Sequence, residues 1–192
     1  MDAVALAGRW RWRLGAGPWS PWRANAICGP MRQTLGYFLA QGAAGSNLAA
    51  WAAGQTVWAA AAIAVGAGDP SWDTLAQPPA FDPAGQTLLT NELGRKPLAV
   101  VGYRQPDGSL LPPGGLGPQA DIGAPVFQAF WSATELVGQG IRELGLFGGR
   151  TAGSILSPNA GLLLSYLRFP VLQRPATDPY SLTVQVEISF QV

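Results

Sequence analysis

The last twelve residues of the chain alternate between apolar and polar side chains without exception. Leucine, valine, isoleucine and phenylalanine occupy every second position from Leu182 to Val192, and serine, threonine, glutamine and glutamate fill the positions between them. Successive side chains of a β-strand point to opposite faces of a sheet, so the pattern predicts a strand with one apolar face and one solvated face. We therefore expect the chain to end inside a sheet.

The remaining sequence predicts a mainly β protein, an antiparallel β-sandwich of about seven strands with one or two short helices. Two long loops rich in proline and glycine, residues 69–85 and 111–125, separate the predicted strands, and Pro170 and Pro175 predict a bulge or an edge between residues 168 and 175. Helices are expected from Pro30 to Ala40 and over residues 48–53. The predicted strands are residues 8–14, 56–66, 97–103, 126–132, 140–147, 161–168 and 181–192.

The chain is long enough for one substantial domain. We expect residues 1–55 to form an N-terminal strand and a small helical segment that pack on an antiparallel β domain of residues 56–192, so that both parts make one structural unit. The single cysteine, Cys28, is expected to be a small buried residue, since no second thiol or imidazole is present to share a metal with it. No segment has the length of a membrane span, and we expect no membrane association.

The composition favours a surface that other chains cover. Charged residues make up 12% of the chain, about half of the roughly 25% usual in soluble domains, and eight residues are tryptophan. Interface cores are poor in charge and rich in aromatic side chains, so we expect a homo-oligomer. A codon bias toward alanine, glycine, proline, arginine and tryptophan is the alternative explanation.

The basic residues do not predict a nucleic-acid partner. The net charge is only +1, whereas phosphate binding requires a concentrated positive field. Arg9, Arg11 and Arg13 alternate with apolar residues, which is typical of a strand that turns its arginines toward solvent.

Catalysis and cofactor binding are not expected. The chain has no histidine, which removes triads of the Ser-His-Asp type and histidine metal sites. The carboxylates are scattered, mostly in turns, and Gly66-Ala67-Gly68 lacks the third glycine and the helix of a nucleotide fingerprint. We therefore expect a non-enzymatic protein without a cofactor or a metal.

Several short motifs occur in a recognisable order. Residues 90–97 read TNELGRKP, residues 141–149 read IRELGLFGG, and a strand with Phe169 and Pro170 precedes the alternating C-terminal strand. Over residues 56–192 this order resembles a family of tailed-bacteriophage virion structural proteins, described as tail fibre, baseplate or head fibre components. The resemblance implies a virion protein that joins other virion structural proteins at the tail, neck or capsid surface.

Two groups of residues are predicted to make contacts with neighbouring proteins. The two long loops are interpreted as assembly arms, and the alternative is that each folds back over its own sheet as a lid. The polar residues of TNELGRKP are predicted to tie a loop either to a neighbour or to their own subunit. The interface candidates are Trp72, Leu75, Phe81, Leu111, Leu116, Ile122, Asn91, Glu92 and Arg95.

The alternative function is a receptor- or glycan-binding module of a tail fibre. Exposed tryptophans would then stack on sugar rings, and the partner would be a host surface receptor. The candidate stacking residues are Trp19, Trp22 and Trp51.

Overall fold

The computed structural model describes residues 5–31, 60–75, 82, 85–112, 123–148, 156–177 and 180–191. Within them it has eleven strands, the helical residues 29–31, where the predicted helix from Pro30 begins, and one short 3-10 helix, Pro70–Thr74. The strands are β1 (Ala5–Leu14), β2 (Arg23–Ala24), β3 (Ala26–Ile27), β4 (Ala60–Gly66), β5 (Glu92–Pro97), β6 (Ala99–Arg104), β7 (Leu110–Leu111), β8 (Ala124–Trp131), β9 (Gly140–Gly148), β10 (Leu162–Gln173) and β11 (Leu182–Gln191).

The strands form two antiparallel sheets that pack face to face, as in a β-sandwich. One sheet has six strands in the order β2-β1-β11-β8-β6-β7, and the other has five in the order β3-β10-β9-β4-β5. The mainly β prediction is confirmed, but the number of about seven strands is wrong. Three strands have only two residues each, and such short segments show no periodicity that could be read from the sequence.

The core lies between the two sheets. Large side chains from both contribute to it, including Trp10 of β1, Trp131 of β8, Ile141 of β9 and Phe169 of β10. A second buried cluster lies around Cys28, which is fully buried as predicted, and it includes Phe147 and Tyr166.

The C-terminal strand lies in the middle of the six-stranded sheet. β11 pairs with β1 from Leu14↔Leu182 to Ala5↔Gln191, and it pairs with β8 on its other side. Its side chains on the apolar face, Leu182, Val184, Val186 and Ile188, belong to the core.

The polar face of β11 is buried as well, so the prediction of a solvated face is wrong here. Thr183, Gln185 and Glu187 each keep only 4% to 5% of their surface exposed. Longer polar side chains from the neighbouring strands bond to Gln185 and Glu187 and cover them. An alternating pattern shows that the two faces differ, but it does not show that the polar face is wet.

The strand predicted at residues 97–103 is divided between the two sheets. β5 ends at Pro97 in the five-stranded sheet, and β6 begins at Ala99 in the six-stranded sheet. The N–H of Leu98, at the crossing point, donates to the Ala61 carbonyl at 3.1 Å. The predicted turn at residues 105–108 is present and connects β6 to β7, with Gly108 at φ +85°.

The predicted irregularity in β10 is confirmed. The pairing of β9 with β10 shifts register between Arg168 and Leu172, around Pro170. Proline has no N–H to donate to a neighbouring strand, which explains why the bulge lies at the position that the sequence predicts.

Part of the first long loop is helical. The Asp69 carboxylate accepts a hydrogen bond from the Ser71 N–H at 2.9 Å, and Pro70 occupies the first turn, so the 3-10 helix has an N-cap residue and a preset φ. Trp72 is only 6% exposed and lies against Gly68, whose φ of +58° and missing Cβ make room for the ring. This described part folds back over its own five-stranded sheet, as the lid alternative states. The predicted helix of residues 48–53 and residues 113–122 of the second loop lie outside the described residues, as does the predicted helix of residues 30–40 beyond Met31.

Candidate functional site

Arginines and tryptophans alternate on the outer face of the six-stranded sheet. The guanidinium groups of Arg9 and Arg11 lie 4.8 Å and 4.4 Å from the ring centroid of Trp22. Those of Arg11 and Arg13 lie 4.4 Å and 4.7 Å from that of Trp19. Arg11 is close to both rings, so the order along β1 is Arg9, Trp22, Arg11, Trp19, Arg13. We call these five residues the ladder.

Local hydrogen bonds hold the segment with the two tryptophans beside β1. The chain turns at Gly15, which has φ +53°, and then runs back beside β1. The Trp12 N–H donates to the Ser20 hydroxyl at 3.0 Å, and the Ser20 N–H donates to the Trp12 carbonyl at 2.7 Å. β2 then pairs with β1 at Arg9 and Trp10. The two bonds of Ser20 therefore fix the segment that carries both ladder rings.

The polar residues of β11 lie beneath the ladder. The Glu187 carboxylate accepts hydrogen bonds from Arg9 Nε at 2.9 Å and Arg104 Nε at 3.0 Å. The Gln185 side-chain oxygen accepts from Arg11 Nε at 2.9 Å. Burial, and next the nearby charge of Arg104, hold the pKa of Arg11 below its ordinary value, while Glu187 acts in the opposite direction. The face is therefore a region of concentrated positive charge.

A cleft of about 620 Å³ opens beside the ladder. Arg9, Trp22, Asn25, Glu187 and Ser189 are among the residues that line it. The Asn25 side chain bonds to the Ser165 hydroxyl of the other sheet and occupies the space that a Cβ on residue 8 would need. The cleft wall is thus held by a contact that joins the two sheets.

A buried carboxylate organises the outer face of the five-stranded sheet. Glu143 of β9 is fully buried. One of its oxygens accepts from the N–H groups of Gly68 at 3.2 Å and Asn91 at 2.9 Å. The other accepts from the Thr90 N–H at 3.1 Å and from the Tyr166 hydroxyl. Burial, and next the charge of Glu143, raise the pKa of Tyr166 above its ordinary value. Glu143 therefore connects the TNELGRKP and IRELGLFGG motifs.

The predicted interface residues Glu92 and Arg95 bind to each other. Arg95 Nε and Nη2 donate to the two Glu92 carboxylate oxygens at 2.7 Å and 2.6 Å, and Arg95 Nη1 donates to the Ala160 carbonyl at 2.7 Å. The guanidinium also lies 4.4 Å from the ring centroid of Phe147. These contacts lie within one chain, and both side chains are nearly buried, so they offer little area to a neighbouring protein.

The remaining predicted residues are in different environments. Trp72 is buried under its own chain, with the Arg168 guanidinium 4.7 Å from its ring centroid, whereas Leu75 is 47% exposed and Leu111 of β7 is partly exposed. Asn91 contributes its backbone, since its carbonyl accepts from the Ala67 N–H at 2.8 Å. Phe81, Leu116, Ile122 and Trp51 lie outside the described residues.

The amino-acid sequence contains a partial signal for the ladder and none for the Glu143 site. Three arginines at alternate positions, followed by two tryptophans three residues apart, is a pattern that allows interleaving. The sequence pattern predicts solvated arginines and tryptophans that stack on sugar rings, and it does not predict their contact with each other. The partners of Glu143 come from residues 68, 90, 91 and 166, and no local pattern brings those together.

Comparison with known proteins gives no match to a protein-family model, a curated protein or a solved structure. Among the described residues, no group of three or more potential metal ligands occurs. In the same part of the chain, no helix has the length and hydropathy to cross a lipid bilayer.

Proposed function

We propose that this chain is a non-enzymatic structural subunit of a tailed-bacteriophage virion, which self-associates and joins other virion proteins at the tail, neck or capsid surface. The observation that supports this proposal is the role of Glu143. Its carboxylate binds backbone N–H groups of Thr90 and Asn91, so it connects the two motifs on which the resemblance depends, and this contact helps to hold the fold together. A mainly β, sandwich-like architecture agrees with a protein whose task is to be a rigid part of an assembly.

The alternative, glycan binding through Trp19 and Trp22, requires free ring faces on which a sugar can stack. Each of these rings is in contact with two guanidinium groups of the ladder. The structural function is therefore the better supported of the two.

The test is to purify particles from cells that carry this coding sequence and to measure the chain in them by quantitative mass spectrometry. We expect a fixed copy number per particle, and immunogold electron microscopy should locate it at one position. Absence of the chain from purified particles would overturn the proposal. A monomer in sedimentation at micromolar concentration would overturn the self-association part alone.

A further inference from the structure

The ladder has more hydrogen-bond donors than acceptors. Among the described residues, Glu187 is the one carboxylate that bonds to it, and Glu187 is shared with Arg104. Arg11 donates to an uncharged amide, and Arg13 makes no hydrogen bond or ion pair within the described part of the chain. Arg9 remains 41% exposed in spite of its ion pair. Of the guanidinium groups of Arg9, Arg11, Arg13 and Arg104, only those of Arg9 and Arg104 therefore bond to a carboxylate of the described residues.

The rings of both ladder tryptophans are already in contact with arginines. Nucleic-acid bases and sugar rings bind to aromatic side chains through free ring faces. In the ladder, Trp19 is in contact with Arg11 and Arg13, and Trp22 with Arg9 and Arg11. What the ladder offers to a partner is the N–H edge of each guanidinium, which matches a carboxylate in geometry and charge.

The arginines also have a regular spacing. They occupy alternate positions of one strand, and alternate residues of a β-strand lie about 6.8 Å apart. Carboxylates on every second residue of an extended peptide repeat at the same distance. A peptide that runs along β1 therefore places one carboxylate at each arginine.

We propose that the ladder binds an extended acidic segment of a neighbouring protein, with aspartate or glutamate at alternate positions opposite Arg9, Arg11 and Arg13. The identity of the neighbour as a virion protein rests on the proposed function, whereas the binding chemistry does not. The stacked rings hold the guanidinium groups in place before the partner arrives, so less side-chain entropy is lost on binding. A carboxylate also relieves the repulsion among the arginines, which contributes to the lowered pKa of Arg11.

The experiment measures binding of short labelled peptides to the purified full chain by fluorescence anisotropy at low salt. One peptide alternates glutamate with threonine. The second has the same composition with its glutamates contiguous, and a single-stranded DNA oligonucleotide of equal charge is the third probe. We expect the alternating peptide to bind about tenfold more tightly than the contiguous one, because only its carboxylates match the strand repeat.

Matched variants locate the site. Arg13→Gln and Arg11→Gln should each weaken binding of the alternating peptide, by about tenfold. Lys96→Gln is the control, since it removes one positive charge from β5 in the other sheet. Arg13→Gln breaks no hydrogen bond within the described residues and loses only its cation–π contact with Trp19, so its melting temperature should fall only slightly.

Equal binding of the two peptides, or an equal loss in Lys96→Gln, would overturn the proposal in favour of unspecific charge attraction. Tighter binding of the DNA oligonucleotide would overturn it in favour of a nucleic-acid site. If the peptides fail while the chain is found in particles, the ladder proposal is wrong and the virion function stands. If the alternating peptide binds as described but the chain is missing from particles, the binding site stands and the virion function is wrong.

Discussion

The outer faces of the two sheets bury their polar groups in different ways. On the five-stranded sheet, Glu143 takes its partners mainly from the backbone, and the 3-10 helix and residues 85–91 cover the surface. On the six-stranded sheet, Gln185 and Glu187 are covered by arginine side chains, and the ladder that covers them is partly open. Where backbone N–H groups bond to the buried polar residues, few hydrogen-bond donors remain for another molecule. Where stacked arginine side chains cover the polar residues, some guanidinium N–H groups remain available. The comparison indicates that the outer face of the five-stranded sheet stabilises the fold, and that the outer face of the six-stranded sheet is the candidate binding surface.

The largest effect is expected from a truncation that tests whether the two sheets unfold as one cooperative unit. A chain that ends at Ser181 loses β11 from the middle of the six-stranded sheet, together with four core side chains, each worth about 1.5 to 3 kcal/mol. This loss is comparable to a typical domain stability of about 5 to 15 kcal/mol, so we expect no cooperative unfolding transition by tryptophan fluorescence.

The control for this truncation removes Val192 alone, so that Leu182–Gln191 of β11 is retained in full. It should unfold like the parent chain. A cooperative transition in the longer truncation would show that the five-stranded sheet and its outer face fold without β11.

The second test removes the buried carboxylate of Glu143 from the five-stranded sheet. Glu143→Ala leaves four donors without their acceptor, and we expect a loss of about 3 to 5 kcal/mol in the free energy of unfolding, measured by urea denaturation. Glu143→Gln keeps one accepting oxygen and should cost less, about 1 to 3 kcal/mol.

Cys28 reports the same change in an independent way. It is fully buried within this face, and burial raises the pKa of its thiol to about 12, so the parent chain should react slowly with thiol reagents at neutral pH. Labelling should be faster in Glu143→Ala than in Glu143→Gln. If Glu143→Ala has the same free energy of unfolding and the same labelling rate as the parent chain, the carboxylate does not keep this face inaccessible to solvent.

The third test removes one ring of the ladder. Trp22→Ala loses contacts with Arg9 and Arg11, and we expect a loss of about 1 to 2 kcal/mol, since exposed cation–π contacts contribute about 0.5 to 1 kcal/mol each. Trp22→Phe keeps an aromatic ring and should recover part of this in urea denaturation. An unchanged unfolding midpoint in Trp22→Ala would show that the ladder does not stabilise the six-stranded face.

The smallest test concerns pH. The hydrogen bond from Arg142 is the main cause that lowers the pKa of Asp73 below its ordinary value of 3.8. A carboxyl with a lower pKa in the folded state stabilises the fold above its unfolded pKa and loses that contribution as the pH falls through the folded pKa. Asp73→Asn should therefore have a slightly lower melting temperature than the parent at pH 6, and the difference should vanish once the pH is below the folded pKa.

Asp107 is the matched control, because its lowered pKa comes from hydrogen bonds to Ser109 rather than from an ion pair. Added salt should shrink the effect of Asp73→Asn and leave that of Asp107→Asn nearly unchanged. The opposite salt dependence would contradict the assignment of the Asp73 pKa to Arg142.

The sequence by itself determined that this chain is mainly β, that β11 is a strand with one apolar face, that residues 105–108 turn and that β10 is irregular near Pro170. These features are local, since alternation and proline chemistry act over a few residues. Only the tertiary structure decided that the polar face of β11 is buried, that the chain changes sheets at Leu98, and that Glu143 joins two distant motifs. The ladder also depends on it, because the arginines of β1 bond to residues of β11 more than 170 positions away. The physical reason is that a period of two residues assigns side chains to faces, whereas the strand order decides which side chains cover each face.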